Sequence, residues 1–282
     1  MEEVNLQAYL YQDKNNQQVC IKKIAKTAAI YDAVKSEVYI LSQLKHPRII
    51  KFIEVFISNS SIHIVMEYAS QGSLGDYLRR RTSPLTTTVR VLFWIYSLSF
   101  ITQSLFQNVL NIFMDILMGL EYLHIKHVIH RDLKPANLLM STHNRIKICD
   151  FGISAVARKL PNSKSPVGTV HYIAPEILFG NSYDYQADIW SLGCILHELC
   201  TMKTPFWHTR DVSTITHIIL KSPVPFWNCQ NITGSYELRQ LCERILTFDP
   251  KKRITLPQII RSPVILPHYY KLYFDYYHEN SL

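Results

Sequence analysis

Residues 130–140 read His-Arg-Asp-Leu-Lys-Pro-Ala-Asn-Leu-Leu-Met, and the triplet Asp150-Phe151-Gly152 follows ten residues later. Two short apolar runs, residues 138–140 and 146–149, lie between the polar parts of these motifs and predict a short hairpin. A hairpin brings the loops at its open end together, so we expect the polar side chains of both motifs to lie side by side. The pair therefore predicts one site built from two loops.

Four side chains of these motifs suit the transfer of a phosphoryl group from a magnesium nucleotide to a hydroxyl. The transferred group carries negative charge throughout, so catalysis depends mostly on positioning and charge neutralisation. Magnesium prefers oxygen ligands and takes few of them from protein, and Asp150 and Asn137 would supply these. Asp132 would accept the proton of the incoming hydroxyl, and Lys134 would reach the transferred phosphate. A single Asp on a polar turn is usually a solvated cap, but this combination is far more specific than a lone short motif.

The motifs H-R-D-L-x-x-x-N and D-F-G resemble those of the eukaryotic protein kinases, and both occur here without substitution. The triplet Ala174-Pro175-Glu176 follows the second motif by 22 residues, which is the spacing of the kinase activation segment. Asp188 starts an apolar helical stretch that reaches about Cys200, and in kinases this Asp braces the backbone of the catalytic loop. Arg253 is then either the buried partner of Glu176 or a solvated cation at a helix end.

The resemblance covers residues 8–260 and implies an α+β fold with two lobes. We expect a small, β-rich lobe and its connection at residues 1–69, a larger helical lobe at residues 70–265, and a tail at residues 266–282. The tail either packs on the larger lobe or frays. The resemblance also implies ATP and Mg²⁺ as cofactors and a protein substrate that offers Ser or Thr.

Residues 17–24 are typical of a strand and match the kinase strand that carries the phosphate-binding lysine, with Cys20 in place of an Ala. Lys22 and Lys23 compete for that role, and strand alternation favours Lys22 because it shares a face with Cys20. Residues 28–44 carry a helical apolar stripe that borders Glu37, and an inward-facing Glu needs a partner. We expect Glu37 to pair with Lys22, the alternative being a surface Glu at the helix edge.

Residues 63–69, His-Ile-Val-Met-Glu-Tyr-Ala, resemble the kinase hinge and follow strands predicted at residues 50–56 and 62–67. The resemblance assigns backbone groups of Glu67 and Ala69 to the edge of adenine, with Met66 as the gatekeeper. Cys20 and Leu139 would cover the two faces of the ring, a role that is also compatible with ordinary core positions.

The stretch before Lys22 departs from the family pattern, because it contains no glycine. The glycine-rich loop that covers the phosphates in kinases therefore has no counterpart, although glycine lets a backbone approach phosphates closely. We expect either a gene model that starts late or a truncated form with impaired nucleotide binding. Residues 8–12 would then form an exposed edge strand.

Residues 89–107 are a second departure, an apolar stretch with one charge and five aromatic residues. A kinase fold has no position for additional residues between its two helices here, the second of which we expect to begin at Asn108. The strongly apolar part, residues 91–101, is about half as long as a membrane-spanning helix requires. We interpret the stretch as intron sequence read through in frame, the alternative being an exposed apolar flap that binds a partner or aggregates.

Lys134 and Thr169 resemble the Ser/Thr branch of the kinases, in which that Thr contacts the catalytic Asp and Lys. Phosphate on Ser165 would pair with Arg131 and order the loop, the alternative being an unmodified polar loop. The dipeptide Ser165-Pro166 would suit a proline-directed upstream kinase as activator. The general pattern resembles the NIMA-related and Ste20-like groups.

Composition limits the partners and the compartment. The net charge is +8, but the basic residues are scattered, and the run Arg79-Arg80-Arg81 is more typical of a helix end than of a nucleic-acid surface. Six cysteines without a C-x-x-C pair are typical of free thiols in a reducing compartment, and the N-terminus has no signal-peptide pattern. We expect the cytoplasm, with the nucleus possible, and neither nucleic acid nor a membrane as partner.

Three functions compete. A Ser/Thr protein kinase is favoured by the complete set Lys22, Asp132, Lys134, Asn137 and Asp150. A pseudokinase or scaffold with impaired nucleotide binding is favoured by the missing glycine-rich loop. A small-molecule kinase is opposed by the Ala-Pro-Glu triplet and by the helix after Asp188.

Overall fold

The computed structural model describes residues 7–13, 16–26, 28–81, 99–150, 170–182, 184–207, 209, 211–221 and 235–279. Its strands are β1 (Gln7–Gln12), β2 (Gln18–Ala25), β3 (Phe52–Ile57), β4 (Ser61–Glu67), β5 (Leu138–Met140) and β6 (Ile146–Ile148). Its helices are α1 (Ala28–Gln43), α2 (Leu74–Arg80), α3 (Ser99–Ile125), α4 (Pro175–Leu178), α5 (Tyr185–Thr201), α6 (Val212–Lys221), α7 (Ser235–Ile245), α8 (Leu256–Ile260) and α9 (Leu266–Glu279). The two-lobed α+β architecture predicted from the sequence is confirmed.

The small lobe is a four-stranded antiparallel sheet in the order β1-β2-β4-β3, with α1 packed against it. The two central strands β2 and β4 bury most of their apolar side chains, whereas the two edge strands leave theirs largely exposed. The register places Lys22 opposite Ile64 and Cys20 opposite Met66. This register fixes which part of β2 faces the end of β4, where the connection to the larger lobe begins.

The larger lobe is built around α5 and residues 109–120 of α3, which are apolar almost all round because they are buried on nearly every side. Phe113, Leu117 and Trp190 are among its largest fully buried side chains. At Gly193 an added Cβ would lie 2.5 Å from Ile245 Cγ2, so α5 and α7 approach too closely for any other residue without a shift. This packing makes α5 a fixed support for the residues at its N-terminus.

The antiparallel hairpin of β5 and β6 contacts the small lobe through a bridge between Ile148 and Ile49. It confirms the hairpin predicted between the two motifs. Helix α2 begins at a capping box in which Ser73 and Asp76 each accept a backbone N–H of the other. An isolated bridge joins Ser73 to Leu139, so the start of α2 is attached to β5.

Helix α3 begins at Ser99, so the prediction of a helix start at Asn108 is wrong. Residues 99–107 contain neither Gly nor Pro, and no local signal stops the helix from extending through the second half of the apolar stretch. Residues 82–98, which include the rest of that stretch, lie outside the described residues. The proposed intron origin stays a hypothesis.

The C-terminal stretch packs on the larger lobe as far as it is described. Tyr269 on α9 is buried, and its hydroxyl donates a hydrogen bond to Glu121 of α3. The five cysteines in the described residues are free, four of them buried and Cys20 half-buried. In the part of the chain that the structure describes, no helix combines the length and the apolarity that crossing a bilayer requires.

Candidate active site

The polar residues of the first motif converge just before β5. Asp132 is buried, and its Oδ2 accepts a hydrogen bond from Lys134 Nζ at 2.7 Å. Asn137 Nδ2 donates to the backbone oxygen of Asp132 at 2.8 Å and to its Oδ2 at 3.1 Å. The 3₁₀ turn Pro135–Asn137 brings the amide back to Asp132. The structure therefore assembles a carboxylate, an ammonium group and an amide within one hydrogen-bonded unit.

The backbone on the N-terminal side of Asp132 is held by a carboxylate from α5. Asp188 is wholly buried and accepts the backbone N–H of His130 at 2.8 Å and that of Arg131 at 3.0 Å. Arg131 adopts a left-handed backbone conformation with φ of 70°, which costs a residue with a side chain about 1–2 kcal/mol. Asp188 thus braces the loop in the manner that the resemblance implied.

His130 joins this loop to the residue before Asp150. Its Nδ1 accepts the N–H of Asp132 at 3.2 Å, so Nε2 carries the proton and donates to the Cys149 oxygen at 3.0 Å. Burial lowers the pKa of His130, against an opposing effect of the Asp188 carboxylate, and this agrees with a neutral ring. Cys149 N–H in turn donates to the Asn137 oxygen at 3.0 Å. The two motif loops are therefore connected through His130 and Cys149.

Lys22 and Asp150 form an ion pair between the two lobes. The Lys22 side chain is 11% exposed and the Asp150 side chain 33%, so the pair lies at the edge of the solvent. Asp150 also has a left-handed backbone, with φ of 61°. The backbone of Glu37 lies in α1, but its side chain is outside the described part of the structure, and the expected Lys22–Glu37 pair stays a prediction.

The end of β4 is tied to both lobes through Glu67. Its N–H donates to the Lys51 oxygen at 2.9 Å, and its carboxylate accepts from Lys51 N at 2.8 Å and from Lys147 Nζ at 2.7 and 2.9 Å. Because the N–H is engaged, a contact of Glu67 with adenine would use its carbonyl oxygen. Ala69 lies two residues further along, in the connection to α2.

Cys20 and Leu139, the two residues expected to cover the nucleotide ring, are half-buried on β2 and β5. Burial raises the pKa of Cys20, and the carboxylate of Asp150 acts in the same direction. The thiol is therefore neutral at physiological pH and has the character of a small apolar group.

The predicted regulatory residues are described only in part. Arg131 is exposed beside the catalytic loop, so its guanidinium is accessible from solvent. Ser165 and Thr169 lie outside the described residues, as do Phe151 and Gly152. The expected phosphate contact between Ser165 and Arg131 stays a prediction.

Arg253 is the buried partner of Glu176, and the alternative of a solvated cation is excluded. Two parallel hydrogen bonds of 2.7 and 3.0 Å join its guanidinium to the Glu176 carboxylate. The remaining donors reach the backbone oxygens of Thr247, Gln186 and Phe248. The triplet Ala174-Pro175-Glu176 is thereby fixed to the end of the larger lobe.

The oxygen donors present fit a magnesium ion. Asn137 uses its nitrogen to bind Asp132, which leaves Oδ1 as the atom that would face a cation. Asp150 has a partly exposed carboxylate, which accepts the Lys22 ammonium group. Mg²⁺ is usually held by one or two protein oxygens together with substrate phosphates, so two donors of this kind suffice.

Comparison with known proteins identifies the class to which this fold and site belong. A family model described as "Protein kinase domain" matches residues 7–265. Nek8 of Danio rerio, a serine/threonine-protein kinase, is 34% identical over 244 residues, which cover 86% of this chain and 32% of that protein. The kinase nekl-2 of Caenorhabditis elegans is 31% identical over 267 residues, which cover 93% and 71%. Human Nek5 is 31% identical over 267 residues, which cover 92% and 34%.

The chain therefore belongs to the protein kinase family. It spans about a third of the length of Nek8 and Nek5 and 71% of nekl-2. Within the family it is a Ser/Thr kinase catalytic domain of the NIMA-related group.

Proposed function

We propose that this chain transfers the γ-phosphoryl group of Mg-ATP to Ser or Thr hydroxyls of protein substrates. The observation that carries the proposal is the buried Asp132 carboxylate, held by Lys134 and Asn137 and connected through His130 to the loop of Asp150. Phosphoryl transfer needs little more from a protein than such a preorganised set of charges.

Each catalytic residue has a separate task in this proposal. Asp132 orients the incoming hydroxyl and accepts its proton, while the Lys134 ammonium compensates charge on the transferred group. Asn137 Oδ1 and Asp150 would hold Mg²⁺, which when bound neutralises charge on the phosphates. Lys22 would exchange Asp150 for the oxygens of the α- and β-phosphates, with Glu37 as its partner after the exchange.

The nucleotide base would lie between Cys20 and Leu139 and bind the Glu67 carbonyl and the Ala69 N–H. An upstream kinase that phosphorylates Ser165 would order the loop through Arg131, and Thr169 would contact Asp132 and Lys134. The buried free thiols support a reducing compartment, which we propose to be the cytoplasm, with the nucleus as the second possibility.

The second candidate function is a pseudokinase or scaffold that binds nucleotide weakly. Residues 1–21 favour it, because they contain no glycine and a glycine-rich loop covers the phosphates in active kinases. The complete set of catalytic side chains favours the active enzyme instead.

The two functions are separated by incorporation of labelled γ-phosphate from Mg-ATP into a generic protein substrate. We expect incorporation by the wild type and a loss of about 100-fold or more in Asp132→Asn, because the variant loses the proton acceptor but keeps the shape. Glu243→Gln, which removes a half-buried carboxylate that pairs with Arg239 on α7, is the matched control and should match the wild type.

Equal incorporation by Asp132→Asn and the wild type would show that Asp132 has been assigned wrongly. An inactive wild type that Mg-ATP nevertheless stabilises in a thermal melt would favour the scaffold.

A further inference from the structure

A buried carboxylate outside the catalytic set lies behind the hairpin that carries Asp150. Asp115 of α3 has a side chain that is 2% exposed. Its Oδ1 lies 2.7 Å from Arg48 Nε and 2.9 Å from Arg145 Nη2, and its Oδ2 accepts the N–H of Ile146 at 2.9 Å. We call Arg48, Asp115 and Arg145 the Asp115 cluster.

The Asp115 cluster joins three separate elements. Asp115 belongs to the central helix of the larger lobe, and Arg145 and Ile146 lie where β6 begins. Arg48 lies on the connection between α1 and β3 and therefore belongs to the small lobe. Burial raises the pKa of Asp115, while Arg48, Arg145 and the N–H of Ile146 act in the opposite direction and favour its charged form.

Backbone hydrogen bonds beside the Asp115 cluster also join residues 48–50 to β6. Ile148 N–H donates to the Arg48 oxygen at 2.9 Å, and Ile50 N–H donates to the Ile148 oxygen at 2.9 Å. These bonds make residues 48–50 a short parallel partner of β6. At Gly119 of α3 an added Cβ would lie 3.0 Å from the Arg48 oxygen and 2.7 Å from Ile148 Cδ1, so the helix backbone packs directly against this junction.

Lys22 and Asp150, which form the ion pair between the lobes, are both connected to this junction through the backbone or through paired strands. Asp150 follows Ile148 by two residues. On the other side, β3 begins at Phe52 and pairs with β4, which pairs with β2 and so with Lys22. A change at the Asp115 cluster would therefore move the small-lobe sheet relative to β6 and alter the separation of Lys22 and Asp150.

We infer that Asp115 is a positioning residue for the proposed phosphoryl transfer: through Arg48 and β6 it sets the spacing between Lys22 and Asp150. The inference rests on the proposed function. Asp115 touches neither substrate nor metal and acts through the two elements that it joins.

The test compares Asp115→Asn with Glu121→Gln, a change of carboxylate on the same helix that binds the Tyr269 hydroxyl and lies away from β6. Steady-state kinetics with varied Mg-ATP give KM and kcat separately. Hydrogen exchange followed by mass spectrometry reports how well the backbone N–H groups of each segment are protected. In Asp115→Asn we expect KM for Mg-ATP to rise about fivefold or more, within the range known for residues that couple distant sites. Exchange should accelerate in residues 46–52 and 146–150 and stay unchanged in α5. Glu121→Gln should change neither readout.

The double variant Arg48→Gln/Asp115→Asn shows whether KM rises only because the protein is less stable or because Lys22 and Asp150 are mispositioned. Removing the Arg48 cation, which no longer has the Asp115 carboxylate beside it, should recover part of the lost melting temperature, while KM stays raised. Arg145→Gln, which removes the more exposed cation, serves if Asp115→Asn fails to fold and should raise KM in the same direction by a smaller factor.

An unchanged KM in all of these variants, or exchange that accelerates uniformly over the larger lobe, overturns the inference. KM that returns to the wild-type value together with the melting temperature also overturns it. If the wild type transfers no phosphate, the proposed function fails, and the exchange pattern alone then decides whether Asp115 positions β6 and residues 48–50.

Discussion

Two ion pairs of this molecule differ in nearly every respect except their chemistry. Glu176 and Arg253 lie wholly within the larger lobe, with side chains 6% and 0% exposed and two parallel hydrogen bonds between them. Lys22 and Asp150 join the two lobes, with side chains 11% and 33% exposed, and a single carboxylate oxygen makes the contact.

The difference separates a structural pair from one that can exchange partners. The guanidinium of Arg253 reaches a carboxylate and three backbone oxygens, so removal of either partner leaves a buried charge in a site built for two. Asp150 keeps access to solvent, so it can replace Lys22 by a cation at low cost. Stability should therefore depend on the first pair and activity on the second.

The largest effect on stability is expected at Arg253. Arg253→Met leaves Glu176 buried without its cation and should lower the free energy of unfolding by about 3–5 kcal/mol. Lys252→Met is the matched control, because Lys252 is 80% exposed and lies 4.0 Å from Asp249, and it should stay within about 0.5 kcal/mol of the wild type. Urea denaturation measures both. Equal destabilisation by the two variants would contradict the structural role of the pair.

The effect at Lys22 should appear in activity. Lys22→Met should reduce kcat/KM for Mg-ATP by about 100- to 1,000-fold, the usual loss for one preorganised charge contact. Its urea midpoint should stay close to that of the wild type, because Asp150 remains partly hydrated. Lys23→Met, one position along β2, is the control and should retain activity. A larger loss of kcat/KM in Lys23→Met than in Lys22→Met would show that the wrong lysine had been assigned to the phosphates.

A smaller, pH-dependent effect is expected at the junction of the lobes. His46 stacks on Tyr122 with ring centroids 4.8 Å apart, and burial, with the nearby charges of Arg48 and Lys147, lowers its pKa from 6.5 to about 4. Between about pH 4 and pH 6.5 the unfolded chain therefore binds a proton at His46 that the folded chain does not bind. The stability contributed by neutral His46 is complete above pH 6.5 and is lost as the pH falls toward 4.

Between pH 7 and pH 4 the free energy of unfolding should fall by about 1–2 kcal/mol less in His46→Gln than in the wild type. This is less than the pKa shift of His46 implies, because the ring is not completely buried. His130 and His197, whose pKa values are also lowered by burial, will keep part of the slope. Urea melts at several pH values between 4 and 7 measure the change. Parallel loss of stability in the variant and the wild type would contradict the assignment to His46.

The sequence predicted the parts of the site that depend on local pattern. The hairpin between the two motifs follows from short apolar runs, and the placement of Lys22 on the buried face of β2 follows from strand alternation. The pairing of Glu176 with Arg253 was predicted from the family resemblance, because nothing in the spacing of 77 residues indicates it.

Contacts that join distant segments were not predicted. His130 was quoted in the motif but given no role, although its apolar neighbours at positions 128, 129 and 133 indicate a buried ring. Asp115 is an acid between the apolar residues Met114 and Ile116 of α3, which is the one signal that could have revealed it. The bond between Glu67 and Lys147 spans 80 residues and depends on the packing of two lobes. Helix α3 was predicted to begin too late because the apolar stretch was interpreted as foreign to the fold.

The attachment of residues 48–50 to β6 has a consequence for rotation of the lobes. Backbone hydrogen bonds and the buried Asp115 hold the lobes together at this junction, whereas the contact between Lys22 and Asp150 is made by side chains alone and is partly open to solvent. A small turn of one lobe against the other would therefore break the Lys22–Asp150 contact more easily than the backbone bonds of residues 48–50. The structure thus keeps its permanent attachment separate from the contact that nucleotide binding has to replace.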